Sequence, residues 1–305
     1  MSPNPEFECD TERVVVTGAT GNVGSWVVDG LADDGISVVG IDVEAPAGTR
    51  ANAEFRSVDL TEQGPVWETL HEVEPDAVVH LAALSDPTQT PDTRVFENNV
   101  TSTYNTLTAA GRMGTDVVWT SSQAAYGALF AESSWNPDYL PIDEEHDRRP
   151  EDAYGLSKVC SEEIARTVAR RYDIAVTTIR PATIFSPDHS RARPPRDGSD
   201  LSTDERAGDF GSSVDVRDVA RMVAAILADQ PPGYEAFLCV ADENYLGQET
   251  AELVEAVCGQ LPAECSLTGK QSALSNAKAR KRLGWVPDHD GRREERTSVS
   301  KPAWV

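Results

Sequence analysis

The stretch Arg13–Gly24, RVVVTGATGNVG, constrains the fold more than any other part of the chain. Val14, Val15 and Val16 are a short β-branched run, the composition of a strand buried on both faces. Thr17-Gly18 breaks the run, and Gly21 and Gly24 follow at three-residue spacing. From Val23 to Leu31 the period turns helical, with Val23, Val27, Val28 and Leu31 on one face. Strand, glycine turn and helix in this order predict the opening of a parallel α/β sheet that binds a dinucleotide. Glycines let the backbone approach a pyrophosphate, and the helix N-terminus offers unpaired N–H groups and a positive dipole end. Gly18, Gly21, Asn22, Val23 and Gly24 are the residues placed to do so.

A lone glycine motif is weak, and its context strengthens it. A second strand, Ser37 to Ile41, ends at Asp42, eighteen residues beyond Gly24. An acid at that place can hydrogen-bond both ribose hydroxyls of an adenosine and would repel a 2′-phosphate, so NAD is expected and NADP is disfavoured. The spacing is G-x-x-G-x-x-G, and as TGATGNVG it resembles the extended short-chain dehydrogenase/reductase family, the NAD-dependent sugar epimerases and dehydratases.

Further segments carry the same resemblance. Phe55 to Val58 reads as a short strand ending at Asp59-Leu60, like the family's Asp-Leu pair that lies against the adenine. An Asp capping the next helix is the local alternative. Asp76 to Leu81, DAVVHL, is a fourth strand followed by Ala82-Ala83. The resemblance places Leu81, Ala82 and Ala83 beside the cofactor, whereas His80 reads as a packed core histidine. On a helix from about Pro91 to Met113, Val95, Asn99, Ser102, Thr106 and Ala109 share a stripe. Asn98-Asn99-Val100 is similar to the family's N-N-V segment, which places Asn99 at the cofactor and active-site helix.

The fifth strand, Asp116 to Thr120, runs into Ser121-Ser122-Gln123-Ala124-Ala125-Tyr126-Gly127, which resembles the family's S-S-x-x-x-Y-G. Tyr154-Gly155-Leu156-Ser157-Lys158 follows as Y-x-x-x-K at the start of a helix to about Tyr172. Tyr and Lys at i and i+4 share one face. A phenol, with a reference pKa of about 10, is a poor base at neutral pH. An ammonium beside it favours the phenolate. The tyrosine can then move a hydroxyl proton while hydride passes to or from nicotinamide. Ser122, Tyr154 and Lys158 are therefore the expected catalytic residues, with Ser122, Gln123 and Tyr154 against the substrate and Tyr154 and Lys158 also at the cofactor.

A long segment, 128–150, separates these motifs, and loops of this length are usually functional or disordered. Phe130, Trp135, Tyr139 and Leu140 make it apolar enough to pack over the pocket, where Trp135 and Tyr139 could stack on a sugar or pack against a neighbouring lobe. Arg180-Pro181 opens a segment like the family's R-P-x-x-x-Y-G-P, placing Pro181 near the nicotinamide, with Phe185 and Ser186 in place of Tyr and Gly. Asp188 to Gly211 is polar and reads as a mobile loop. Val214 to Ala220 matches V-x-V-x-D-V-A, and Leu283-Gly284-Trp285-Val286-Pro287 matches the ending of the family's substrate lobe. Strand Ala236–Val240 and helices Thr250–Cys258 and Ser275–Leu283 are assigned to that lobe.

The fold expected is α/β: a Rossmann-type doubly wound parallel sheet with a small C-terminal mixed α/β substrate lobe. Residues 1–185 would form the NAD-binding domain, 186–290 the lobe, interleaved with the first at 212–230, and 291–305 a charged, frayed tail.

Composition bounds the partners. A net charge of −24 argues against nucleic acid or an anionic membrane. No apolar run of 18 residues exists, so no membrane span is expected. The opening MSPNPEFECD lacks the features of a secretion signal, and five scattered cysteines without a C-x-x-C pair point away from disulfides and metal and toward a cytoplasmic location. Lysine occurs only at 158, 270, 278, 281 and 301, and this acidic, lysine-poor composition resembles that of salt-adapted archaeal proteins.

The resemblance implies NAD-linked chemistry at a carbinol carbon of a sugar or nucleotide-sugar, and it leaves room for a homodimer. Three functions stay open: a dehydrogenase of a free aldose or sugar acid, a UDP-sugar 4-epimerase that retains its NAD, and a non-catalytic NAD-binding regulator. The intact triad disfavours the third. The absence of an Asp-Glu pair after Ser122 disfavours dehydration. The short, charged Asp188–Gly211 stretch favours a small sugar over a nucleotide-sugar.

Overall fold

The computed structural model describes residues 11–86, 88–131, 135–187, 207–289 and 301–305. Its first half runs β1 (Arg13–Thr17), α1 (Asn22–Asp33), β2 (Ser37–Asp42), β3 (Ala53–Ser57), α2 (Gln63–Val73), β4 (Ala77–His80), α3 (Asp92–Met113) and β5 (Asp116–Thr120). The second half runs β6 (Tyr139–Leu140), α4 (Ala153–Tyr172), β7 (Val176–Pro181), β8 (Thr183–Phe185), β9 (Ser213–Asp215), α5 (Val216–Ala228), β10 (Tyr234–Cys239), α6 (Thr250–Cys258), β11 (Glu264–Cys265) and α7 (Ala277–Leu283).

Seven of these strands make one parallel sheet in the order β10-β7-β5-β4-β1-β2-β3. Its register aligns Val15 with Val39 on one side and Val78 on the other, and Val78 in turn with Val117. Successive strand residues point to opposite faces, and both faces are covered, so the strands are apolar throughout. Val14, Val16, Val79 and Phe237 pack against Val27, Val28 and Leu31 of α1 and Val219, Met222 and Val223 of α5. Val15, Val78, Val117 and Trp119 pack on the other face against Val66 and Leu70 of α2, Leu107 of α3 and Ala165 and Val168 of α4. Each such aliphatic side chain taken fully out of water contributes about 1.5–3 kcal/mol. A charge at Val15 or Val78, both fully buried, would break the layer.

The strand order reverses between β1 and β4, and a crevice opens there at the carboxyl ends of the strands. That topology, not any single residue, sets where a ligand can lie.

A further cluster, including Tyr126, Leu140, Ile142, Phe210, Val254 and Leu274, sits past the end of the sheet. β6 pairs with β11, and β8 with β9. Two expectations need correction. The strand near Ala236–Val240 is not part of a separate lobe: as β10 it pairs with β7 and completes the main sheet. Phe237 faces the core under α5 while Leu238 faces the outer cluster, so one apolar strand serves both units. Of the expected frayed tail, residues 291–300 lie outside the described residues, whereas 301–305 are docked: Trp304 is buried, stacks on Phe55 at 4.7 Å and donates to Asp29 Oδ1. It covers β3, the edge strand of the sheet, which would otherwise expose an apolar ring. No helix among the described residues is long and apolar enough to cross a membrane.

Candidate active site

The glycine turn closes too tightly for any side chain. A Cβ on Gly24 would lie 2.0 Å from the Gly18 carbonyl oxygen, and one on Gly18, whose φ is +67°, would lie 2.8 Å from the Ala82 nitrogen. α1 begins without a side-chain cap, so its first N–H groups are directed into the crevice unclaimed by a capping group. At the end of β2, Asp42 Oδ2 accepts from Thr20 N at 3.0 Å and Thr20 Oγ1 at 2.7 Å, and Oδ1 accepts from Val43 N at 2.8 Å. These bonds hold the carboxylate at the crevice edge. Arg50, the nearest basic residue after Asp42 in sequence, is committed elsewhere: it pairs with Asp29 and Asp33 on α1.

His80 is fully buried between Thr17 Oγ1 (2.7 Å) and Thr103 Oγ1 (3.2 Å), and burial pushes its pKa down to about 3. It is a neutral brace between β1, β4 and α3.

The cleft above the sheet has a volume of about 1370 Å³ and is lined by the glycine turn, Asp42, Asp59, Leu60, Leu81 to Ala83, Ser122, Gln123, Tyr154, Lys158 and Pro181. Asp59 Oδ1 accepts from Thr61 N and Oγ1, which fixes the turn before α2 and lowers the carboxyl's pKa. Asn99 does not line the cleft. Its side chain clamps the backbone of Leu84 through both N–H (2.8 Å) and C=O (3.0 Å), and it donates to Ser157 Oγ at 3.2 Å. Its action on the site is indirect, through the wall that follows β4 and through α4.

Asp152 caps α4 by accepting from Gly155 N at 2.7 Å. The helix then presses on the turn after β5, where a Cβ on Gly155 would lie 2.6 Å from the Ala124 carbonyl oxygen. This contact brings Tyr154, Lys158 and Ser122 to one cleft. Lys158 is almost fully buried and donates to the Thr120 carbonyl at 2.8 Å, its Nζ 5.6 Å from the Tyr154 ring centre. Burial pushes its pKa down to about 7, while the negative Glu162 opposes that fall. Ser122 Oγ accepts from Ala124 N at 3.1 Å.

A glycine cradle, an acid at the end of β2 and a Ser/Tyr/Lys set are joined in one cleft, and residues 14–204 match the model of the NAD dependent epimerase/dehydratase family. The chain belongs to that family. A UDP-glucose 4-epimerase of Mycolicibacterium smegmatis is 30% identical over 90% of this chain and 93% of its own. An L-arabinose 1-dehydrogenase (NAD(P)(+)) of Haloferax volcanii is 29% identical over 84% of this chain and 98% of its own. The crystal structure of a glucuronic acid dehydrogenase from Chromohalobacter salexigens superposes with a TM-score of 0.65 at 22% identity, covering 95% of this chain and 91% of that one, which establishes the shared fold. The cofactor is NAD, as the family's description states. The backbone cradle fits its pyrophosphate and Asp42 fits its adenosine ribose.

Of the two roles expected for the rings of the 128–150 segment, the structure shows packing. Trp135 turns away from the cleft, donating to the Tyr126 carbonyl and packing against His146 and Phe210. Tyr139 donates to Asp143 Oδ1. Packing, not stacking on a substrate, occupies both rings. Phe130 lines the cleft instead and meets Tyr154 edge-on at 6.3 Å. A single aromatic in a long loop gave no periodic signal by which to prefer it. Residues 188–206 lie outside the described residues, and with them most of the Asp188–Gly211 stretch.

Proposed function

We propose that this family member oxidises a hydroxyl of a free aldose or sugar acid and releases NADH. The observation that carries the reading is the composition of the cleft wall. Among the described residues, every one that lines it lies between Gly18 and Phe185. A nucleotide-sugar would gain remote binding energy from a second wall, and none of the described residues from 207 to 289 supplies one. A small sugar needs only the space beside Ser122, Gln123, Tyr154 and Phe130. The similarity to an aldose dehydrogenase over 84% of this chain supports the same reading.

The glycine turn and Asp42 would hold NAD, which would supply the acceptor for the hydride of the carbinol carbon. Tyr154, as phenolate, takes the proton of the same carbinol as its C–O bond becomes a carbonyl. Lys158, as ammonium on the same helix face, favours that phenolate. Ser122 Oγ accepts from Ala124 N, which leaves its hydroxyl proton available to donate to the substrate oxygen. Phe130 packs edge-on against Tyr154, which is only 9% exposed, and this limits the access of bulk water.

The test is to supply the purified protein and NAD with a panel of aldoses, uronic acids and UDP-sugars and follow free NADH. Accumulating NADH with a free sugar supports the proposal. Tightly retained NAD(H), interconversion of UDP-sugars and no NADH with any aldose would replace it with the 4-epimerase reading, which the Mycolicibacterium smegmatis relative favours.

A further inference from the structure

Behind the cleft, one helical turn after Lys158, Glu162 is fully buried. Its Oε1 accepts from Ser121 Oγ (2.8 Å) and Arg180 Nε (2.8 Å), and its Oε2 accepts from Arg180 (2.7 Å) and Arg148 (2.7 Å). Arg180 is 1% exposed and also donates to Tyr126 Oη and the Glu144 carbonyl. A buried carboxylate with this many strong donors stays ionised, and the guanidinium bonds hold its pKa below the usual range against burial.

The placement has two consequences. Ser121 lies between Thr120, whose carbonyl anchors Lys158, and Ser122. Holding Ser121 therefore holds both neighbours. Glu162 is also the carboxylate on the lysine's own helix, one turn away, in a low-dielectric interior where a charge acts over longer range.

We propose that Glu162 is a positioning residue of the reaction: it fixes the β5 end that carries the lysine's anchor and Ser122, and its charge keeps Lys158 in the ammonium form. The proposal rests on the triad chemistry above but not on which sugar is oxidised.

Other groups packed around Lys158 do not supply that charge. Tyr154 is on its own helix, and His80 on β4 is neutral. Trp119 on β5 offers its ring face at 5.3 Å, which favours the ammonium weakly. Against Glu162 itself, Arg180 on β7, Arg148 in the loop before α4 and Arg166 on α4 are cations, and Tyr234 on β10 is a phenol kept protonated by burial.

Direct titration is practical because the chain has five lysines. The protein would be labelled with carbon-13 lysine, the Lys158 signal assigned with Lys158→Arg, and its midpoint followed by NMR with no cofactor and no turnover. Glu162→Gln keeps shape and one acceptor but removes the charge, and its Lys158 midpoint should fall by about one pH unit or more. The alkaline limb of kcat/KM should move down with it. Arg148→Gln, at a half-buried site, removes a cation from Glu162 and should move the midpoint up, so the proposal remains testable if Glu162→Gln does not fold. Glu162→Asp should restore most of the shift. An unchanged midpoint in Glu162→Gln, or in Arg148→Gln where the first is insoluble, would overturn the proposal and leave Glu162 a structural ion pair. Absence of sugar oxidation would bear on the substrate reading alone.

Discussion

Asn99 on α3 and Ser157 on α4 are joined at 3.2 Å, and the serine hydroxyl donates onward to the carbonyl of Tyr154 at 2.7 Å. The same amide holds both polar groups of Leu84. One buried side chain thus ties the cleft wall after β4 to the helix turn that presents the phenol.

Asn99→Ala should therefore act on stability and turnover together. Losing the partner of a part-buried N–H and C=O costs up to about 1–3 kcal/mol for each unsatisfied group. A lowered melting temperature and a reduced kcat are expected, with the dissociation constant for NAD changed much less. A variant with parent-like melting and turnover would show that water replaces the amide.

Tyr154→Phe isolates the chemistry. The phenol lines the cleft and has Lys158 on its own helix face, and general-base assistance is worth about 10²–10⁴-fold in rate. The phenyl ring retains the edge-on contact with Phe130, so folding should be unaffected. Turnover should fall by about a hundredfold or more, while NAD binding, measured by fluorescence quenching, stays close to the parent. Turnover within about tenfold of the parent would remove Tyr154 from the role.

Asp42 should select NAD over NADP. Its carboxylate is held in place by Thr20 and Val43, and Arg50 is tied to α1. Among the described residues no cation pairs with Asp42 to offset a 2′-phosphate. Like charges facing one another cost several kcal/mol, so kcat/KM for NAD should exceed that for NADP by about a hundredfold. Asp42→Asn should narrow the ratio. A parent enzyme that prefers NADP would mean that the carboxylate leaves this position.

Most of the cleft was legible in the sequence because its parts are local. The Gly18-Gly21-Gly24 turn, the acid after β2 and Tyr154-x-x-x-Lys158 each need only a few adjacent residues to state their geometry. What stayed hidden depends on distant contacts. Lys158 and Glu162 at i and i+4 look like a solvated helix pair, and only the arrival of Arg180 from β7 buries the acid. Phe130 and Trp135 are equivalent aromatics in one loop until Tyr126 and Phe210 claim the second. The short apolar run of β10 does not name the sheet it joins, and a single tryptophan in a charged stretch does not announce that Phe55 is waiting for it.

Among free sugars, a neutral aldose should be turned over with a higher kcat/KM than the uronic acid of the same configuration. The cleft wall holds Asp86, Asp92, Glu151 and Asp152 beyond the adenosine end, and Lys158 is the one cation among the described residues that line it. Lys158 is bound to the Thr120 carbonyl and faces the phenol, so it does not reach out to meet a carboxylate. A uronate entering this space meets like charge without a counter-ion, while a neutral sugar can donate hydroxyls to the same acids. The discrimination should shrink as salt rises, since the Debye length falls from about 10 Å at 0.1 M to about 3 Å at 1 M. Measuring kcat/KM for matched aldose and uronate pairs at low and high salt tests both halves. A uronate preferred at low salt would overturn the prediction.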